Sequence, residues 1–369
     1  MPVSPTLAEN LAATVLDLYL DAEQALLTRI ARSLAEGVDA PGWAERQLLL
    51  VQAYRARAAR VLGEVERRAE SAVGDAVRTA WNRGTAAALA DLGELDPAGP
   101  VPLDQVLPGA QAVERLAAET ISAVTATHPR ILRATQDVYR DVISQVSSRT
   151  LLGAETRRQT AQEALNRFAK RGVTGFVDRA GRGWSMESYA EMAVRSATAR
   201  AAVDAHSERL RASGHDLVIV SNAPQECARC RPWEGKVLSL SKGIAGAIAE
   251  HATTDGRRVP VRVAGTLAEA RADGLYHPGC RHSHSLYLPG VTKAPTATAD
   301  PQGDRDRQRL RALERRVRAA KRQEAAALDD VAAKAARAKV RSAQAAIRDH
   351  VATTSAKRQP AREQIGRAR

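Results

Sequence analysis

Apolar residues recur at helical intervals through most of this 369-residue chain. Leu7, Leu11, Val15, Leu18, Leu26, Ile30 and Leu34 share the spacing of one helix face, and Gly37 with the Pro41-Gly42 pair ends the run. A second helix is predicted over about residues 43–92, then a Pro/Gly-rich loop over 96–108. Helix returns over 109–152 with a break or kink at Pro129, and again over 159–170. From Gly172 the texture changes. Val173, Phe176 and Val177, a turn at 178–181 carrying Gly181, and Trp184 predict a hairpin. Ser185 then caps a helix that places Tyr189, Met192, Ala193, Ser196 and Ala199 on one face and stops at Gly214. Residues 216–221 form a short, strongly β-prone strand, and Gly243 to Gly246 reads as a flexible turn. The C-terminal stretch has apolar positions Leu310, Leu313, Val317, Ala320, Leu328 and Val331, then Val340, Ile347 and Val351. Its register slips partway, which predicts a helix pair and not one long coiled coil.

Composition sharpens this. Aromatic residues are only 3% of the chain, so the core is built mostly from Ala, Leu and Val, which suits close helix packing. No apolar run approaches bilayer length and no basic segment leads into an apolar one, so neither a membrane segment nor a secretion signal is expected. Three cysteines cannot all pair, which points to a reducing compartment. The charge is uneven: residues 300–369 hold 19 Lys or Arg against 9 Asp or Glu, so +10 of the net +13 lies there. Such an arm contacts polyphosphate or an acidic surface, or keeps an Ala-rich helix solvated.

All three cysteines fall in one window, as Cys227-Ala-Arg-Cys230 and His277-Pro-Gly-Cys280-Arg-His282. Two pairs at i, i+3 spacing are the two halves of a tetrahedral thiolate site, so zinc is the expected ion. Its ligands would be Cys227, Cys230, Cys280 and one of His277 or His282, with His284 a further competitor. Four protein ligands close such a site and make it structural. The competing interpretation is three buried apolar cysteines beside surface histidines. Two zinc enzymes also deserve comparison. His206-Ser-Glu208 followed by Pro224 and the Cys227/Cys230 pair imitates a nucleobase deaminase, but Pro224 is two residues too far from Cys227. A zinc-stapled nuclease would use His277, His282 or His284, but lacks a paired carboxylate to hold a divalent ion.

At residues 172–184 (GVTGFVDRAGRGW), 189–196 (YAEMAVRS), 232–239 (PWEGKVLS), 274–283 (GLYHPGCRHS) and 288–291 (LPGV), the chain resembles the phage minor capsid protein 2 family. These are relatives of the Mu F-type phage head morphogenesis proteins. The tail from LERRVR at 313–318 to KRQ at 357–359 is also similar, and the Cys227/Cys230 pair resembles the wider Mu F-type pattern. The resemblance implies a structural virion component of a tailed phage or prophage. It would be made in the host cytoplasm and assembled at the capsid interior or portal vertex, beside portal and capsid proteins.

Together these readings predict a mainly α protein with a helical N-terminal half, a small embedded α+β module that could be a zinc knuckle, and a basic helical C-terminal tail. The expected organisation is a helical adapter region (1–152), a helix-hairpin-helix lead-in (153–212), the Cys/His module (213–291), a linker (292–303) and the tail (304–369). In the tail, Arg315, Arg316, Arg318, Lys321, Arg322, Lys334, Arg337, Lys339 and Arg341 are the candidate contacts to packaged double-stranded DNA. No aromatic residue follows Tyr287, so contact there would read backbone charge and not bases. No catalytic grouping and no small-molecule substrate are expected. The alternative is a zinc-stapled nucleic-acid-binding protein, or a zinc-dependent nuclease or deaminase.

Overall fold

The computed structural model describes residues 5–93, 110–151, 156–171, 176–178, 181–241, 248–295 and 299–366. The predicted loop at 96–108, the turn at 243–246 and the first residues of the predicted hairpin lie outside these. The chain is mainly α. Helices α1 (Pro5–Ala35) and α2 (Trp43–Asp91) are separated at Gly37 and Gly42, both with positive φ. Helices α3 (Ala110–Thr125) and α4 (His128–Leu151) break just before Pro129, which sits in the first turn of α4 where its missing N–H costs nothing. Then come α5 (Arg157–Arg171), the antiparallel pair β1 (Phe176–Val177) and β2 (Gly183–Trp184), and α6 (Met186–Ala212).

Two compact units emerge. One comprises Met1–Thr14, Ala72–Ile121 and Met192–Arg305; the other comprises Val15–Ser71, Ser122–Glu191 and Asp306–Arg369. The divisions fall inside α1, α2, α3, α6 and α8 (Pro301–Ala325).

The first unit contains a four-stranded sheet in the order β7-β4-β3-β8, from β3 (Leu217–Val220), β4 (Val237–Ser239), β7 (Val263–Thr266) and β8 (His284–Leu286). Strand β3 pairs antiparallel with β4 and β8, and β4 pairs parallel with β7. Side-chain alternation divides its apolar residues. Val218, Val220, Leu238 and Leu286 pack with Ala88, Leu210 and Cys230, while Ile219, Val237 and Val261 make a second cluster. The short pair β5 (Ile248–Glu250) and β6 (Arg258–Pro260) adds a hairpin, and α7 (Leu267–Ala272) starts at a capping box formed by Thr266 and Glu269.

Helix α6 corrects the sequence reading. The predicted face of Tyr189, Met192, Ala193, Ser196 and Ala199 is only half buried, whereas Ala190, Val194, Ala197, Ala201, Ala202 and Ala205 are buried. Small alanines carry little periodic signal, yet they allow helices to approach closely. At Gly84 a Cβ would stand 2.1 Å from the Ala202 carbonyl oxygen, so α2 and α6 approach there as only glycine permits.

In the second unit Tyr54 and Tyr139 stack at 4.7 Å, and Trp43 donates its indole N–H to the Leu34 carbonyl at 3.2 Å. Helices α8 (Pro301–Ala325) and α9 (Asp330–Ala352) form the predicted pair. Leu310, Leu313 and Val317 pack against Ala343, Ile347 and Ala356. Val331, predicted on the apolar stripe, is 80% exposed in the first turn of α9. Helix α8 begins inside the predicted linker, because Asp300 accepts from the Gly303 amide at 2.7 Å and Pro301 suits the first helical position.

Candidate metal centre

Two tight turns bring the cysteines together. In the first, the Cys230 and Arg231 amides donate to the Cys227 carbonyl at 3.2 and 3.1 Å, and a 3-10 turn at Arg231–Trp233 follows. In the second, the Cys280 amide donates to the His277 carbonyl at 2.8 Å, and Gly279 takes the positive φ that the turn requires. Strands β3, β4 and β8 hold the two turns in register, 50 residues apart along the chain.

The predicted donors converge in two overlapping groups: Cys227, Cys230 and His277, and Cys230, Cys280 and His282. Within each, the ligand atoms lie within 4.8 Å of one another. Cys227 Sγ is 3.0 Å from His277 Nε2, Cys230 Sγ is 3.4 Å from Cys280 Sγ, and Cys280 Sγ is 3.4 Å from His282 Nδ1. The His282 amide also points at the Cys280 sulfur at 3.3 Å. Three sulfurs and an imidazole are the soft, nitrogen-and-sulfur set that a tetrahedral transition ion takes, so the residues fit a metal.

Electrostatics agree. The hydrogen bond from Cys230, and then His282, outweigh burial and hold the Cys280 thiol well below its ordinary range. The same bond, together with burial, pushes the Cys230 thiol up. Burial opposes the His282 imidazolium, yet the Cys280 sulfur and the Glu234 carboxylate outweigh it and raise its pKa. Glu234 is buried, and its Oε1 accepts from His282 Nε2 at 2.8 Å and from the Ala223 amide at 2.9 Å. Sequence reasoning missed Glu234. Its place in the PWEG block, beside the first turn, is the signal that could have found it.

His284 does not join. It is fully buried, with Nδ1 2.9 Å from the Tyr276 hydroxyl and Nε2 3.1 Å from the Ser207 hydroxyl, and burial followed by the nearby His206 drives its pKa well down. His206 faces Asp91 at 3.2 Å and belongs to neither metal-capable group. The deaminase-like His206/Glu208 grouping is therefore not assembled with the Cys227/Cys230 pair among the described residues.

The tail candidates divide. Arg315, Arg316, Lys334, Arg337, Lys339 and Arg341 are exposed. Lys339 donates to the Gln323 side chain at 3.0 Å, and Arg337 lies 4.0 Å from Glu324. Arg322 is buried, donates to the Ala169 carbonyl at 2.9 Å, and pairs with Glu23 and Glu187 at 3.2 and 3.6 Å. Arg318 donates to the Arg362 carbonyl at 2.6 Å, and Lys321 donates to Gln364 at 2.7 Å. These three make contacts inside their unit, in contrast to the exposed candidates. The helical period could not tell them from their exposed neighbours, because Arg tolerates either setting when acidic partners surround it. Along α9, Lys334, Arg337 and Arg341 recur at intervals of three and four, and exposed Arg348 continues the row seven residues on. At 3.6 residues per turn they span an arc of about 60°. Arg348 was not among the sequence candidates.

Among the described residues no helix is long and apolar enough to cross a membrane. No solved structure matches the chain. A "Structural protein" of Lactococcus phage LL-H is 26% identical over 103 residues, and the match spans 28% of each chain. The family described as phage minor capsid protein 2 matches residues 3–352, nearly the whole sequence, including both cysteine-bearing turns and the α8–α9 pair. The chain therefore belongs to the phage minor capsid protein 2 family, a family of structural phage head proteins.

Proposed function

We propose that this protein is a structural virion component of a tailed phage or prophage, assembled in the host cytoplasm at the portal vertex or capsid interior. The observation that carries this reading is the family match over residues 3–352. The N-terminal helices are the surface for portal or capsid proteins, since they offer long helical faces and no chemical grouping. Consistent with this, Leu48, Leu49 and Leu50 on α2 are 55%, 82% and 42% exposed. The α9 row of Lys334, Arg337, Arg341 and Arg348 touches packaged double-stranded DNA through phosphates, with Arg315 and Arg316 as further contacts. Zinc, held by Cys227, Cys230, Cys280 and one of His277 or His282, staples the sheet module and takes no part in turnover.

Composition and metal analysis of purified particles tests the whole reading. The expected result is this chain in the mature particle together with about one zinc per copy. Its absence from particles, with tight DNA binding by the free protein, would favour a nucleic-acid-binding protein unrelated to virions. Replacing the exposed Leu48, Leu49 and Leu50 with Ser should abolish incorporation; normal incorporation would remove this face of the N-terminal helices from the contact.

A further inference from the structure

We propose that the histidine ligand of the metal is His282, through Nδ1, that the buried Glu234 is the positioning residue that orients it, and that His277 stands outside the coordination sphere. This rests on the zinc reading above and names its fourth ligand.

Three observations point the same way. The first is spacing. With bonds of about 2.3 Å to sulfur and about 2.0–2.1 Å to nitrogen, tetrahedral geometry places ligand atoms about 3.8 Å apart for two sulfurs and about 3.6 Å for sulfur and nitrogen. The Cys230–Cys280 and Cys280–His282 separations, both 3.4 Å, are close to those edges. Cys227 and His277, at 3.0 Å, stand at hydrogen-bond distance, closer than two ligands sharing one ion.

The second is the outer partner. A metal-bound imidazole usually donates its other N–H to a carboxylate or carbonyl, which fixes the tautomer and ring orientation. His282 Nε2 meets Glu234 Oε1 at 2.8 Å, with side chains only 2% and 1% exposed. The Ala223 amide anchors the same oxygen at 2.9 Å, so the carboxylate is itself held against the end of β3. His277 is less enclosed, and among the described residues its Nδ1 faces the carbonyl of its neighbour Pro278, at 2.9 Å.

The third is hydrogen bonding. A buried carboxylate needs donors, and His282 bound to the ion through Nδ1 keeps its Nε2 proton for Glu234, so the ion and the carboxylate use opposite nitrogens of one ring.

The test loads the purified full chain with Co²⁺ in place of zinc and follows metal content, thiolate-to-cobalt absorption and competition with a chromophoric chelator. His277→Ala should keep one metal per chain with affinity within about threefold of the unaltered protein. Glu234→Gln, nearly identical in shape, should weaken affinity about 10–100-fold while leaving the thiolate absorption unchanged. His282→Cys should keep the metal and add the absorption of one more thiolate, which reports the ligand directly even if His282→Ala fails to fold. Loss of metal from His277→Ala would overturn the assignment, as would thiolate absorption in His282→Cys identical to that of the unaltered protein. An unaltered chain that takes up no metal would overturn the zinc reading itself, and the assignment with it. Failure of the assignment alone leaves metal bound in the unaltered chain.

Discussion

In the sheet-bearing unit the reactive groups turn inward to one small cluster, while along α8 and α9 the charged groups divide between a buried network and an exposed row. The difference follows from what each region has available to bury. The four strands of the sheet are three or four residues long, and the cluster lies where two turns must be tied together across 50 intervening positions. An ion held from both turns would supply a cross-link that so short a sheet cannot. The helix pair instead buries Leu310, Leu313, Val317 and Ile347 and sets its polar core with Arg322, Glu23 and Glu187. Identical side chains therefore have opposite uses on the two helices: Arg322 ties helices together and Arg341 faces solvent.

The sharpest test of this contrast is metal removal. Chelation or Cys230→Ser should cost the module a large share of its stability, since structural zinc contributes folding free energy outright. Hydrogen exchange should report loss of protection in β3, β4 and β8 with α4 and α8 still protected. Uniform loss along the whole chain would break the comparison.

Next in size is the buried network. Arg322→Ala removes a buried cation that pairs with both Glu23 and Glu187, and denaturant unfolding should register about 3–5 kcal/mol. Arg341→Ala should fall within about 0.5 kcal/mol of the unaltered protein. Similar values for the two would show that exposure does not separate the two classes of arginine.

The exposed row is tested by DNA binding across a salt series. Replacing Lys334, Arg337, Arg341 and Arg348 with Gln in the full chain should reduce the log–log salt slope by about 3–4, at about 0.9 per phosphate contact, with no dependence on base sequence. An unchanged slope would assign these charges to an acidic protein surface instead.

The smallest effect concerns pH. Burial works to raise the Glu363 carboxyl, but Arg358, at 2.6 and 2.9 Å, and Gln344, at 3.2 Å, hold it below the usual carboxylate range. A depressed folded pKa contributes stability above the unfolded pKa of about 4.3, and that contribution is lost as pH falls through the folded value. Glu363→Gln should therefore flatten the acid limb of the helix pair's stability profile, measured by circular dichroism. An identical acid limb in the variant would show that the Arg358 pair contributes nothing there.

Much of this architecture was legible from residue order alone. Helical spacing, Gly37, the Pro41-Gly42 pair and Pro129 determined where α1, α2, α3 and α4 start and stop, because local sterics and backbone hydrogen bonding act over one or two turns. The register slip located the α8–α9 division, and the i, i+3 cysteine pairs named the donors that now lie together. What the tertiary structure alone decided depends on neighbours remote along the chain. Alanines of α6 are buried because Gly84 lets another helix approach, and Arg318 and Arg322 point inward because carboxylates and carbonyls wait there. His284 leaves the cluster for Tyr276 and Ser207, while His282 stays, backed by a carboxylate 48 residues away. Local order sets the conformation of each turn; burial and the pairing of charge, which act through space, set which side chain each turn delivers to the site.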